Sequence, residues 1–424
     1  MRSYDKIVIK NTFFLYIMTG AKFVLPLIIT AWLTRRLGPD TYGIISYLTP
    51  VMGYFILLFD FGFDFCATKK ISQNRTNHQY IEKTIAAVYT AKILLIPVGF
   101  LLLLILILCV PLLKGYILLT VLYYFSTAAQ ILIPDFLYRG LEKMEGITKR
   151  YILAKFVTAV FILLIVRDDR QLILVPVAYL IGNIMAACYT NFHMVQKLGY
   201  HFSLASVKEA VSELKESSIY FLSTFASTAL SVTSTFVMGI VGMPVVEIAY
   251  WGVAFQVVQA VQSMYDPITT SIYPHVAKKK NYKFVLQVTG ALLPLVAIGC
   301  VMLYWLAGLA VHIIAGDEYM AAVPVLQCLI PVLLFSFVAQ MLGFPLLGAL
   351  GQQSQTSLTT LVAAGAQIIG LVILAVCDRF TLVSLCILRI LTELILMISR
   401  IYFAYLFLRQ RKTVKHTEEN HFDN

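Results

Sequence analysis

Four cations stand inside long apolar runs of this chain: Lys22, Lys92, Arg389 and Arg400. A charge at the centre of a bilayer helix costs about 2.5–3.5 kcal/mol on insertion scales, so such a residue is by default a functional candidate. Cations in a dry cavity would bind an anion. Thr19, Lys22, Pro26 and Thr30 fall on one helical face. A lysine at mid-span cannot snorkel to an interface, so Lys22 must face water or a partner, with a structural ion pair as the alternative. Lys92 lies about eight residues into its run, roughly 12 Å along a helix, where snorkelling is open to it. Lys155, nearer an interface, reads as a snorkelling residue. Arg389, Glu393 and Arg400 share a narrow face, since eleven residues are close to three helical turns. An Arg389–Glu393 pair at i, i+4 would leave Arg400 free.

Acidic and neutral polar groups accompany these cations. Asp60 and Asp64, at i, i+4, repel each other unless one is protonated or a cation is near. They are read either as partners of Lys69, Lys70 or Lys92 or, with Asp266 and Glu393, as ion-coupling candidates. Thr224, Ser227, Ser231, Ser234 and Thr235 form a hydroxyl stripe. Gln256, Gln259, Ser263 and Asp266 follow at helical spacing, with Pro267 as a kink. Small hydroxyl residues often only pack helices. A Gln-Gln-Ser-Asp face points instead to a hydrated cavity, and Thr224, Ser227, Ser231, Gln256, Gln259 and Ser263 are its expected lining.

Soluble or membrane-bound enzyme chemistry finds little support. There is no Walker A sequence, no H-E-x-x-H and no G-x-S-x-G. Asp168-Asp169 is flanked by Arg167 and Arg170, and Asp317-Glu318 stands alone; both read as solvated turns. The seven cysteines have no C-x-x-C spacing and read as small apolar packers, not disulfides or metal ligands. No catalytic residue, metal or cofactor is expected.

The elements that position these residues are transmembrane helices. The chain is 59% hydrophobic and only 13% charged, against roughly 25% charged in soluble proteins, and its mean hydropathy is +0.82. Runs of about 20 apolar residues, the length that crosses a bilayer, recur at 12–33, 42–65, 84–109, 116–138, 151–166, 172–193, 218–240, 248–275, 284–313, 321–348, 355–376 and 381–407. The expected fold is thus an all-α membrane protein of about twelve spans. With the N-terminus inside, inner segments carry 22 Lys and Arg residues and outer segments six, which puts both termini in the cytoplasm. The +11 net charge therefore belongs to the membrane-facing loops and does not call for nucleic acid. The Met1–Lys6 stretch resembles a signal peptide's charged region, but the run after it lacks an A-x-A site and is read as a retained first helix. A short amphipathic interfacial helix over Ser203–Ser217 divides six spans from six. The expected units are 1–205, 206–408 and a disordered tail at 409–424. Faint likeness between the halves suggests a parallel repeat.

The stretch Asn11–Gly43, with Leu-Thr-Arg-Arg-Leu-Gly-Pro-Asp-Thr-Tyr-Gly, resembles the start of polysaccharide-biosynthesis transporters, the Wzx-type flippases. Leu58–Phe63, Ala67–Ser72 and Pro134–Met144 resemble that family's second span, its exit and the loop after its fourth span. The resemblance implies the multidrug/oligosaccharidyl-lipid/polysaccharide exporter fold, two six-helix lobes around a central cavity. It implies an undecaprenyl-pyrophosphate-linked oligosaccharide as substrate, the bacterial cytoplasmic membrane as location, ion-driven alternating access, and other polysaccharide assembly proteins as further partners. Lys22, Lys92, Arg389 and Arg400 would then hold the pyrophosphate. Two alternatives are a drug/cation antiporter, which would want an acidic cavity, and a glycan polymerase or glycosyltransferase, which would want a long outer loop with catalytic groups.

Overall fold

The structure, a computed structural model, describes residues 20–22, 24–279 and 282–422; side chains at 223, 274–275, 277–279 and beyond 409 are outside that description. Thr19, the first residues of the expected first span and the basic groups before it are therefore outside it as well. The described secondary structure is helical, with no strand among the described residues. Nine helices there are long and apolar enough to cross a membrane. They correspond to expected spans 2, 3, 4, 6, 7, 9, 10, 11 and 12. Span 1 lies partly outside the described residues. Span 5 falls within the Met144–Ile165 helix, which carries Lys149, Arg150 and Lys155. Span 8 is polar and broken.

Two compact units form, residues 1–252 with 313–318, and residues 253–312 with 319–424. In the first, the Pro39–Asp60 helix packs against Val207–Val241 and Ile117–Ala128, and Met144–Ile165 packs on Leu174–Leu198. In the second, Leu382–Phe422 packs against Val323–Met341 and Gln353–Val376. An apolar cluster including Tyr265, Ile272, Phe337, Met341 and Leu346 fills this second core.

Several boundaries differ from expectation, each for a local reason. Span 2 is two helices, Pro39–Asp60 and Phe63–Gln73, because Phe61 and Gly62 take φ values of 44° and 80°. A side chain at 62 would also stand 2.7 Å from the Phe221 main-chain nitrogen, so this turn needs glycine twice over. Stacking of Phe61 on Phe221 at 4.5 Å helps offset the left-handed conformation, which costs a non-glycine residue about 1–2 kcal/mol. Asp60 and Asp64 consequently lie on different helices, not on one face. Span 8 is likewise two helices, Val245–Ser263 and Asp266–Lys279, since Pro267 cannot donate within a continuing helix.

The separate amphipathic helix expected at Ser203–Ser217 is instead the first turns of one continuous helix, Val207–Val241. It holds no proline, and its one glycine, Gly239, lies in the last turn, well past Ser217. Ser206 and Glu209 close its start as a capping box, and the Ser206 hydroxyl and N–H hold the Glu209 carboxyl below its usual range. Its first turns are anchored by Lys70, which pairs with Glu213 at 2.7 Å and Glu216 at 2.8 Å. The last helix runs Leu382–Phe422 and so includes most of the tail that composition marks as disordered. All seven cysteines are free thiols.

Candidate functional site

A cavity of about 480 Å³ opens within the first unit. Its wall carries five basic side chains, Lys22, Lys92, Arg139, Arg150 and Lys155, and three acidic ones, Asp60, Asp64 and Asp135, a net charge of +2. Thr127, Gln130, Tyr151, Asn183, Thr224 and Thr228 add neutral polar groups. Several helices supply these residues, so the site is a product of tertiary packing.

Two of the cations are committed to carboxylates. Arg139 meets Asp64 at 3.1 Å and Arg150 meets Asp135 at 2.6 Å. The remaining carboxylate, Asp60, accepts the Asp64 main-chain N–H at 3.3 Å. Lys92 is different. It is 5% exposed, and no carboxylate among the described residues lies within ion-pairing distance. Its ammonium sits 6.0 Å from the Phe63 ring centre and 5.6 Å from that of Phe136. The helix bearing it starts at His78, fourteen residues before Lys92, or about 21 Å along the axis. Lys155 stands over Tyr179 at 5.1 Å and Tyr151 at 6.0 Å, and Lys22 faces the same Tyr151 ring at 5.8 Å. Cation–π contact holds an ammonium in place without neutralising it. The wall therefore holds Lys92 and Lys155 against aromatic faces, and its lining carries a net positive charge.

The structure thus brings Lys22, Lys92, Asp60, Asp64 and Thr224 to one cavity and leaves the other expected residues elsewhere. Ser227 is exposed, and Ser231 donates to the Thr228 carbonyl at 3.0 Å, as a helix-packing hydroxyl does. Gln256 is half-buried and Gln259 exposed on the Val245–Ser263 helix; Ser263 donates to the Ala260 carbonyl at 2.7 Å. Asp266 is exposed at the start of the next helix, where its carbonyl accepts from Thr269 and Thr270.

Arg389, Glu393 and Arg400 belong to the second unit. Arg389 donates to Glu393 and, at 3.1 Å, to Gln367 Oε1, and its guanidinium lies 5.9 Å from the Phe255 ring centre. The i, i+4 pair is present, but it does not leave Arg400 free. Arg400 donates to the Ala339 carbonyl at 2.7 Å, to Thr360 Oγ1 at 3.1 Å and to Thr359 Oγ1 at 3.4 Å.

Arg139, Arg150, Asp135 and Lys155 are absent from the sequence expectation of the site. Arg139 and Arg150 read as inner-loop charges and Lys155 as a snorkelling residue. Their available signal was the stretch Pro134-Asp135-Phe136-Leu137-Tyr138-Arg139, whose acid and base one helical turn apart are unusual beside an apolar run.

Comparison with known proteins agrees with this architecture. Residues 8–280 match the family model described as polysaccharide biosynthesis protein. A protein of Escherichia coli (strain K12), named as a candidate O-antigen transporter, is 24% identical over 328 residues, 76% of this chain and 79% of its own length. A protein of the same name from Shigella dysenteriae is 23% identical over 287 residues, 65% of this chain and 69% of its own. Among solved structures, the lipid II flippase MurJ in an inward closed conformation superposes with a TM-score of 0.70 at 12% identity, over 94% of this chain and 87% of that one. An inward-facing multidrug resistance MATE family transporter of the MOP superfamily gives 0.68 at 12% identity, over 93% and 95%. The chain is an all-helical membrane protein with the fold of those transporters, and it belongs to the polysaccharide biosynthesis protein family.

Proposed function

We propose that this chain is a flippase that carries undecaprenyl-pyrophosphate-linked oligosaccharide units from the inner to the outer leaflet of a bacterial cytoplasmic membrane for surface polysaccharide assembly. The observation that carries this is the net +2 cavity of the first unit, in which Lys92 is buried without a carboxylate partner among the described residues. A diphosphate diester is the anion such a wall suits. Gln130, Asn183 and Thr224 offer the amide and hydroxyl groups a sugar needs. Asp60 and Asp64 beside these cations are the ion-coupling candidates. A drug/cation antiporter would be served better by a net acidic wall. The test is deletion of the chain in its own host. Lipid-linked oligosaccharide should accumulate while surface polysaccharide disappears, and plasmid-borne chain should reverse both. Unchanged polysaccharide with a new sensitivity to cationic drugs would support the antiporter instead.

In the same proposal both termini are cytoplasmic, a reading supported by the bias of 22 inner to six outer basic residues. Alkaline phosphatase fused after Leu408 is then expected to be inactive, and one fused within the short outer segment around Asp168 active. The opposite pattern would reverse the orientation and, with it, the direction of transport.

A further inference from the structure

The buried guanidinium of Arg400 points to a role outside the substrate cavity. It is 9% exposed and sits on the 382–422 helix, and each of its donor partners belongs to a neighbouring helix. Threonines 359 and 360 lie in the first turns of Gln353–Val376. Ala339 lies in the last turn of Val323–Met341, where the final carbonyls of a helix lack their regular main-chain donors. The Ala339 carbonyl takes the Leu342 N–H, a tightened i+3 bond, and its second lone pair takes Arg400 Nη1 at 2.7 Å.

The chain does not end its helix there. It continues as a wide π turn over Leu342–Gly348, with Pro345 inside it and with Gly343 at ψ −113°, far from the helical value. A Cβ built on Gly343 would stand 2.8 Å from Arg400 Nη1 and 3.2 Å from its Cζ. Glycine at 343 and arginine at 400 are therefore fitted to one another: the missing side chain is the space the guanidinium occupies. π turns within spans are uncommon and concentrate at functional sites. Broken helices at membrane depth persist only where neighbouring groups satisfy the freed backbone.

We propose that Arg400 is a positioning residue, a clamp that holds the tenth span bent at Leu342–Gly348 by satisfying the carbonyl end of its first segment, and that this bend is a hinge of the transport cycle. Arg400 then acts through Ala339, Thr359 and Thr360 and does not touch the pyrophosphate. Charge serves here as a source of several fixed donors, and its loss would take one of two donors from the Ala339 carbonyl and would release Thr359 and Thr360 from the same guanidinium.

The test is a double-mutant cycle in the full-length chain, read as surface polysaccharide in a deletion host and as main-chain amide exchange of residues 339–350 in purified protein in lipid nanodiscs. Gly343→Ala drives a methyl into the guanidinium and is expected to lower export about tenfold. Arg400→Lys keeps the charge but gathers its donors on one nitrogen, removes the bulky fork and should lose about threefold. Combined, they are expected to export at about the Arg400→Lys level, because the narrow lysine stem leaves room for the methyl. Losses that multiply would mean that residues 343 and 400 act independently, and that outcome overturns the clamp. Amide exchange separates this from failure of the flippase assignment, since it needs no substrate. Arg400→Ala should raise exchange at 339–350 at least about tenfold while leaving 360–375 unchanged. Equal protection in both proteins would also overturn it. Should Arg400→Ala not accumulate, the exchange comparison is made with Arg400→Lys, for which a smaller rise confined to the same segment is expected and none at all counts against the clamp.

Discussion

Lys92→Met is expected to remove most surface polysaccharide while leaving the protein inserted in the membrane and no less stable than the parent. Lys92 is 5% exposed and packs against the faces of Phe63 and Phe136. Its ammonium is desolvated, and no carboxylate among the described residues pairs with it directly. Methionine keeps most of the stem volume and removes the desolvation cost. The fold should therefore tolerate the change, as cores tolerate volume-conserving apolar swaps at under about 1.5 kcal/mol. A contact from a charged donor to a phosphate oxygen is worth about 1.5–3 kcal/mol, or roughly tenfold to a hundredfold in affinity. Lys92→Arg should retain part of the export, with its wider fork crowding the two rings. Lys22 provides the companion measurement. Lys22→Arg should keep much of the export and Lys22→Ala little; restoration of Lys22→Ala by Asp60→Asn would mean that Lys22 serves only to balance a carboxylate. Full export by Lys92→Met with normal membrane levels would remove the buried lysine from substrate binding altogether.

The sequence was most legible where one physical term dominates. Apolar run length located the spans corresponding to the nine long apolar helices, because the bilayer thickness fixes that length. Intramembrane charge picked out Lys22 and Lys92 because such residues are expensive, and both line the cavity. Legibility failed where a turn replaced a helix. Asp60 and Asp64 have i, i+4 spacing, but Phe61 and Gly62 reverse φ between them. The pairing that results, Asp64 with Arg139, spans 75 residues of sequence and has no local signature. Lys70 likewise finds Glu213 and Glu216 and not the nearby aspartates. Arg139 and Arg150 were hidden for the opposite reason. Counting basic residues by loop assigns them to topology, and only packing of Asp135–Gly140 beside Met144–Ile165 carries their side chains into a wall. The π turn at Leu342–Gly348 is invisible to hydropathy, since its residues are apolar whichever helix they form.

Arg389 and Glu393 allow the sharpest separation of structural charge from functional charge. Both are 5% exposed, they pair directly, and Gln367 Oε1 accepts a further Arg389 donor at 3.1 Å. Removing one partner of a buried pair leaves the other charge uncompensated, which costs about 3–5 kcal/mol. Arg389→Leu and Glu393→Leu should each lower the thermal midpoint of the purified protein sharply and reduce its membrane level. Replacing both together removes two desolvation costs at once, and such exchanges are often neutral or stabilising by about 1–4 kcal/mol. The double variant should therefore regain parental stability, less the bond from Arg389 to Gln367 Oε1. Export then decides the role. If the pair only joins the Gln353–Val376 and Leu382–Phe422 helices, the double variant exports as the parent does. If Glu393 carries a coupling ion or Arg389 meets the pyrophosphate, the double variant is stable and inactive. The neighbouring Arg400 clamp gives the expected direction, because that arginine on the same helix spends its donors on the protein. We expect stability and export to return together, which would remove this pair from the candidates for anion binding and leave that proposed role to the cavity of the first unit.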